Sequence, residues 1–397
     1  MKIVLYDLRV SGHHLKYALT LIENLAKKGY EILYITGPGI KKRDEFEKLN
    51  SIIEIKVYKH TGKNKFLYYY FKIRNLIKAM KDANKWGADI FHLLYFDYNE
   101  VPFFIQFLIS SLNFKKNDFK VLATLHWVHY LNNNKKRNIR YYWKKFNLLI
   151  FKKIISTNKI EYLLVNSEIV KKILIEKFNM YKSKTKIKSI PYPTDVFNKK
   201  VNRKEARKKL NLPAKLPLFL YFGGLRYDKG IDLLLDALKF TNKKFKLIIA
   251  GKEDYFSRKF INLIINKKNL KEKIIKKIKF IPNEEVGLYF QSIDAIILPY
   301  RNNFLGQSGP LLQACYARKP IIAFNSQIIG SIIKKYEIGL LAKNNSPEDL
   351  AYKIDYYLKN KKKLDEKFEN NLYNYYLKNT KEKMVKKIEK IYKKIRR

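Results

Sequence analysis

The chain has 397 residues, with 83 Lys and Arg against 35 Asp and Glu, a formal net charge of +48. Hydrophobic residues make up 47% and aromatics 15%, which excludes a disordered basic tail or a collagenous chain and leaves room for two or three domains at roughly 150 residues each. A positive field of this size attracts nucleic-acid phosphates and anionic lipid headgroups alike, and Lys spread over solvated faces accounts for much of it with no partner at all.

Short β-branched runs alternate with longer amphipathic stretches, the pattern of βαβ units and a parallel sheet. In the first half, strands are expected at 2–6, 31–36, 52–58, 89–94, 120–126, 162–166 and 186–190. The opening run Ile3-Val4-Leu5-Tyr6 is too short for a secretory leader. Ser11-Gly12-His13-His14 follows it, and Gly12 suits either close approach of a ligand to the backbone or an ordinary βα turn. From His14 to Lys28 the apolar positions Leu15, Leu19, Ile22 and Leu25 share one helical face, and Gly29 is a natural stop. The apolar stretch from Val101 to Phe114 is interrupted by Gln106, Ser110, Ser111 and Asn113 and falls short of the ~20 residues that cross a bilayer. His126 closes a strand at the end where open α/β sheets bind ligands, and reads equally well as a hydrogen-bonded structural histidine. Beyond it, Ile139, Tyr142, Trp143, Phe146, Leu149 and Ile150 recur at helical spacing beside Arg140, Lys144 and Lys145. One such stripe suits a helix lying in an anionic membrane interface, or a helix packed on its own domain.

Pro191, Pro193, Pro213 and Pro217 flank the polar, basic stretch from Asn198 to Lys208, so the expected domains are 1–195 and 196–375, followed by a C-terminal segment, 376–397. Second-half strands are expected at 218–222, 245–250, 278–281, 294–298 and 320–324. The loop from Tyr221 to Gly230 sets Gly223 and Gly224 beside Arg226 and Lys229, and a forked donor with a point charge suits a diphosphate. After Leu298, the loop Pro299 to Pro310 leads into a helix whose first amides, near Ser308 and Gly309, form an anion site. Gln313, one turn inside that helix, is placed to bond a ribose hydroxyl. The single cysteine, Cys315, cannot close an internal disulfide, which points to a reducing cytoplasm. With no HExxH, no Cys/His cluster and no Asp-x-Asp pair, neither a metal nor another cofactor is expected. From Leu364 to Arg397 the Lys-rich chain has no Gly or Pro and reads as helix, either returning to the first half or standing in solvent.

Taken together, these segments resemble the glycosyltransferases of family 4, enzymes of the GT-B fold that move a sugar from a nucleotide donor. The landmarks are Phe222 to Gly230, Ile249-Ala250-Gly251-Lys252, Ile281 to Val286, Asp294 to Tyr300, Gln307-Ser308-Gly309, Lys319-Pro320 and Gly339-Leu340-Leu341. The resemblance implies an α/β fold of two Rossmann-like domains facing a central cleft. It also implies that Arg226 and Lys229 hold the donor diphosphate and that His126 borders the reacting sugar. Gly12, Gly224, Gly251, Gln307, Ser308, Gly309 and Gln313 would line the donor. It implies metal-free transfer with retention; joined to the cysteine usage, the charge and the stripe at 139–150, the leading expectation is a cytoplasmic enzyme that passes the sugar to a glycan or lipid-linked saccharide and docks on the inner face of the membrane through Arg140, Trp143, Lys144 and Lys145. The sequence departs from the family at its paired glutamates, whose positions are Leu305 and Gln313, and no Asp or Glu occurs from Tyr300 to Lys335. The arginine also stands two places later than in the commoner Gly-Arg-Leu form. The alternatives are an epimerase of the same fold, an inactive relative that still binds donor, and a nucleic-acid-binding protein, for which no recognition motif is present.

Overall fold

A computed structural model describes residues 1–10, 13–59, 65–97, 99–112, 118–127, 139–157, 159–178, 183–197 and 201–396. The chain forms two units, Met1–Tyr192 with Lys381–Arg397, and Pro193–Thr380. The breaks fall at 192/193 and 380/381, not at 195/196 and 375/376.

In the first unit the order is β1 (Lys2–Asp7), α1 (His13–Ala26), β2 (Glu31–Thr36), α2 (Glu45–Asn50), β3 (Glu54–Val57), α3 (Lys65–Trp86), β4 (Ile90–Leu93), α4 (Glu100–Leu112), β5 (Lys120–Leu125), α5 (Ile139–Ser156), β6 (Tyr162–Val165), α6 (Glu168–Phe178) and β7 (Lys186–Ser189). The strands pair as one parallel sheet, β3-β2-β1-β4-β5-β6-β7. Ile3, Val4, Leu5, Ile90 and Phe91 are fully buried, as a parallel sheet covered by crossover helices requires. The order reverses between β1 and β4, so the crevice beyond their C-terminal ends is the natural ligand position.

The second unit runs α7 (Arg203–Lys209), β8 (Leu218–Phe222), α8 (Ile231–Ala237), β9 (Lys246–Ala250), α9 (Arg258–Lys267), β10 (Ile274–Lys277), α10 (Asn283–Ser292), β11 (Ala295–Leu298), α11 (Gly309–Tyr316), β12 (Ile321–Phe324), α12 (Ile329–Tyr336), β13 (Gly339–Ala342), α13 (Pro347–Lys359) and α14 (Lys361–Leu377). Its parallel sheet has the order β10-β9-β8-β11-β12-β13, reversing between β8 and β11. The strand expected at 278–281 lies four residues earlier. Ile274 to Lys277 pair with Leu247 to Ala250, while Ile278 and Ile281 are buried from the following loop. An edge strand has one unpaired side and tolerates Lys276 and Lys277, so hydrophobicity misplaced the register.

The stretch from 364 to 397, expected to be helical, is shared between two helices, α14 and α15 (Lys381–Arg396). They part because α14 packs on α11 in the second unit, whereas α15 packs on α1 in the first. Met384, Val385, Ile388 and Tyr392 of α15 are buried in the first unit's core. Tyr392 Oη lies 2.6 Å from His92 Nδ1, and Thr124 Oγ1 lies 2.8 Å from Nε2. Burial would raise Glu389, but Lys28 and Lys393 hold its carboxyl down to about 2. Among the described residues, no helix is long and apolar enough to cross a membrane.

Candidate active site

In the second unit, the loops leaving β8 and β11 are stitched together at the sheet's switch point. The Arg301 N–H donates to the Asp228 carbonyl at 3.0 Å. On the other side, the Gly223 N–H donates to Ala250 and the Leu225 N–H to Lys252, at 2.9 and 3.0 Å. This packing leaves no room for a side chain at Gly251. Its φ is +148°, and a Cβ there would stand 2.0 Å from the Gly223 carbonyl oxygen, so only glycine fits the close approach.

Arg226 and Lys229 reach this floor from a 3₁₀ turn, Tyr227–Lys229. Arg226 forks onto Asp228, with Nε 2.9 Å from Oδ1, and its guanidinium stands 5.9 Å from the Phe304 ring centre. The Lys229 ammonium folds over Gly223, only 2.4 Å from where a Cβ would sit, and 5.6 Å from the Tyr300 ring centre. Burial, and then the Arg226 charge, push Lys229 down to about 8, against the pull of Asp228 and Asp254. Because Asp228 is engaged by Arg226 and burial still holds Lys229 down, a bound anion beside its ammonium relieves an existing cost. Arg301 is committed elsewhere, bonding Asp232 at 3.0 Å and stacking 4.0 Å from the Tyr227 ring centre.

The β11–α11 loop completes this face. Ser308 caps α11 by accepting from the Leu311 N–H at 3.2 Å, and its Oγ lies 3.3 Å from Tyr300 Oη. Leu305, at the first glutamate position of the family, is 1% exposed and packs as core. Gln313 does not keep its whole amide for a ribose, because one of its two N–H groups donates to the Asp195 carbonyl at 3.4 Å, leaving Oε1 and the second N–H. Gln307 Nε2 and Asn303 Oδ1 are buried without a hydrogen-bond partner, which is rare in a satisfied interior. Gly224 lies beside Asp254 and accepts from Tyr221 Oη at 3.3 Å, and Gly309 faces Thr194. Sequence reasoning did not select Asp228, Asp254, Tyr300 or Phe304 for the site. Tyr300, Phe304 and Asp228 stood in the quoted loops, and their position just beyond β11 and β8 was the available signal.

In the first unit, the equivalent switch point gathers Asp7 at the end of β1, His14 on α1, Tyr95 after β4 and His126 after β5. His126 Nε2 lies 3.0 Å from the Leu94 carbonyl, so that nitrogen carries the proton, and Nδ1 receives the Asn166 amide at 3.2 Å. Its backbone N–H donates to Asp97 at 2.9 Å. Burial raises Asp97 to about 6, although the amides of His126 and Trp127 oppose the shift. Tyr95 stacks on His126 at 3.8 Å and on His14 at 3.6 Å. Gly12 lies outside the described residues.

The stripe expected on α5 divides. Ile150 turns inward with Phe151, Ile154 and Ile155, while Tyr142, Phe146 and Leu149 are 60%, 47% and 65% exposed. A helix held against its own domain needs one apolar face, and the residues from Ile150 onward supply it. Trp143 is exposed and meets Tyr69 edge-on at 6.0 Å, and Lys145 lies 4.9 Å from the Tyr141 ring centre. The side chains of Ile139, Arg140 and Lys144 lie outside the described residues.

Two parallel doubly wound units in succession, one with paired cations at its switch point, define the GT-B class of fold. Residues 16–196 match Glycosyltransferase Family 4, and residues 202–375 match the glycosyl transferases group 1. The chain belongs to this glycosyltransferase family and is an enzyme of that class. An uncharacterized glycosyltransferase of Methanocaldococcus jannaschii is 32% identical over 136 residues, 34% of this chain and 36% of that one; the match therefore spans about a third of that relative's length. The solved sucrose-phosphate synthase from Thermosynechococcus elongatus superposes with a TM-score of 0.74 at 18% identity, covering 99% of this chain and 98% of that one. Anabaena HepE in complex with UDP and glucose gives 0.72 at 14% identity, covering 99% and 100%.

Proposed function

We propose that the enzyme transfers a sugar from a nucleotide-sugar donor, held by the second unit, to a glycan or lipid-linked saccharide held by the first. The observation that carries this reading is the Lys229 ammonium, buried over Gly223 beside Arg226. That HepE is solved with UDP and glucose supports a nucleoside diphosphate as the carrier. The acceptor oxygen bonds to the anomeric carbon as the bond from that carbon to the diphosphate oxygen breaks, and the acceptor's hydroxyl proton passes to that departing oxygen. The departing electron pair is stabilised by Arg226 and Lys229, which are already in place and need no metal to neutralise the charge. Gln307 Nε2, Gln313 Oε1 and the start of α11 contact the sugar and ribose through neutral groups, and Gly224 and Gly251 let the donor approach the backbone. The family resemblance assigns His126 to the border of the reacting sugar; within its own unit both of its ring nitrogens are bonded. Retention at the anomeric carbon follows from the family resemblance.

The test is a thermal-shift panel of nucleotides and nucleotide sugars on the intact protein and on Arg226→Ala/Lys229→Ala. Stabilisation by one nucleoside diphosphate class, lost in the double variant, is expected. No response to any of them, beside tight salt-sensitive binding of oligonucleotides, overturns the reading in favour of nucleic acid.

The same reading places the enzyme at the cytoplasmic face of an anionic membrane. Tyr142, Phe146 and Leu149 are exposed together on α5, with exposed Lys145, Lys152 and Lys153 around them, the composition of an interfacial helix face. Co-sedimentation with anionic vesicles, weakened by salt and by Phe146→Ser/Leu149→Ser, is expected. Equal sedimentation of that variant removes α5 from the docking surface.

A further inference from the structure

We propose that Asp7 and His14 form the site that holds the acceptor hydroxyl, with His14 Nε2 as its hydrogen-bond acceptor. This rests on the reading of the chain as a transferase whose first unit takes the acceptor. Three histidine side chains are described in this unit, and their bonding separates them. His92 is fully buried, with Tyr392 and Thr124 on its two nitrogens. His126 spends one nitrogen on Leu94 and the other on Asn166. His14 spends only Nδ1, which lies 2.8 Å from Asp7 Oδ2, and its side chain stays 18% exposed. Among the described residues nothing bonds its Nε2. His14 Nε2 is not among the buried atoms, so it is open to solvent and to a ligand, whereas the nitrogens of the other two rings are spent inside the fold.

The rest of the arrangement fixes where that nitrogen points. Asp7 is 5% exposed, and its other oxygen accepts the Arg9 N–H at 3.0 Å, so the carboxylate cannot swing away. Because a carboxylate only accepts, the Nδ1 proton stays toward Asp7 and the lone pair stays on Nε2. The ring lies on Tyr95 at 25° and 3.6 Å, and the opposite face of Tyr95 is covered by His126 at 12° and 3.8 Å. Tyr17 closes the stack from the side, edge-on to Tyr95 at 6.1 Å and to His126 at 4.9 Å. An imidazole locked in direction and tautomer, at the crevice beyond β1 and β4, is preorganised for one donor group. For a glycosyl acceptor that group is a sugar hydroxyl.

The experiment uses the full chain, the nucleotide sugar selected by thermal shift, and a panel of octyl glycosides as acceptors. His14→Asn keeps an amide toward Asp7 and removes the acceptor at Nε2, so transfer to the glycoside should fall roughly 10–100-fold with the nucleotide-induced thermal shift unchanged. His14→Gln carries an amide oxygen out to the Nε2 position and should recover most of the loss. Asp7→Asn donates to Nδ1, moves the ring proton to Nε2, and should behave as His14→Asn does. Unchanged transfer in His14→Asn overturns the proposal, as does a His14→Gln variant no better than it. Loss of transfer together with the nucleotide shift marks a structural role and overturns it too. Failure of the underlying reading looks different, because the wild-type protein then neither responds to nucleotides nor transfers sugar.

Discussion

Replacing Lys229 with Met removes a buried charge and keeps an unbranched side chain over Gly223. In the ligand-free protein the ammonium is held at about 8, against 10.5 for an ordinary lysine. At 1.36 kcal/mol per unit that is a penalty of about 3 kcal/mol on the protonated form near neutral pH. The variant should therefore be more stable than wild type without ligand, by roughly 1–3 kcal/mol and several degrees in Tm. The pH dependence has a definite sign. Between pH 8 and 10.5 the unfolded lysine binds more protons than the folded one, so wild-type stability rises with pH across that window, and the Met variant lacks this rise. A diphosphate reverses the balance by compensating the charge. Its affinity for wild type should weaken as pH climbs past 8, and saturating nucleotide, worth about 2.7 kcal/mol at a hundredfold excess over Kd, should stabilise wild type and not the variant. Differential scanning fluorimetry and titration calorimetry on both sides of pH 8 read all of these. A Lys229→Met protein that is less stable than wild type, with its nucleotide shift intact, refutes the reasoning.

Tyr392→Phe strips His92 Nδ1 of its partner in the core, and urea unfolding should show a loss of about 1–3 kcal/mol. Burial holds His92 down to about 3, so the unfolded ring takes a proton first, and first-unit stability should fall as pH drops below 6.5 toward 3. Gly251→Ala forces a Cβ against the Gly223 carbonyl at a positive φ. It should cost at least about 1–3 kcal/mol and abolish the nucleotide-induced shift, measured by fluorimetry.

Much of the fold was legible because strand and helix periodicities are local properties of the chain. Alternating apolar runs announce both parallel sheets, and the glycines beside Arg226 and Lys229 mark the loop that leaves β8. Where the local signal was ambiguous, tertiary pairing decided. The β9 edge selected Ile274 to Lys277 over the more apolar run that follows, and α14 and α15 separated because each buries its apolar face in a different unit. The chemistry of the side chains was decided at longer range still. Nothing in the sequence around Lys229 says that its ammonium lies on Gly223 and loses water there. His126, a strand-end histidine, finds partners on both nitrogens, while His14, second of the doublet His13-His14, keeps one nitrogen open. The partners that make this difference, Leu94 and Asn166 for one ring and Tyr95 beneath both, are brought together only by the pairing of β1, β4, β5 and β6. Residue type and spacing set which groups are present at strand ends; which of them retain an unspent hydrogen bond or an uncompensated charge depends on neighbours distant in sequence, and only the folded chain supplies those.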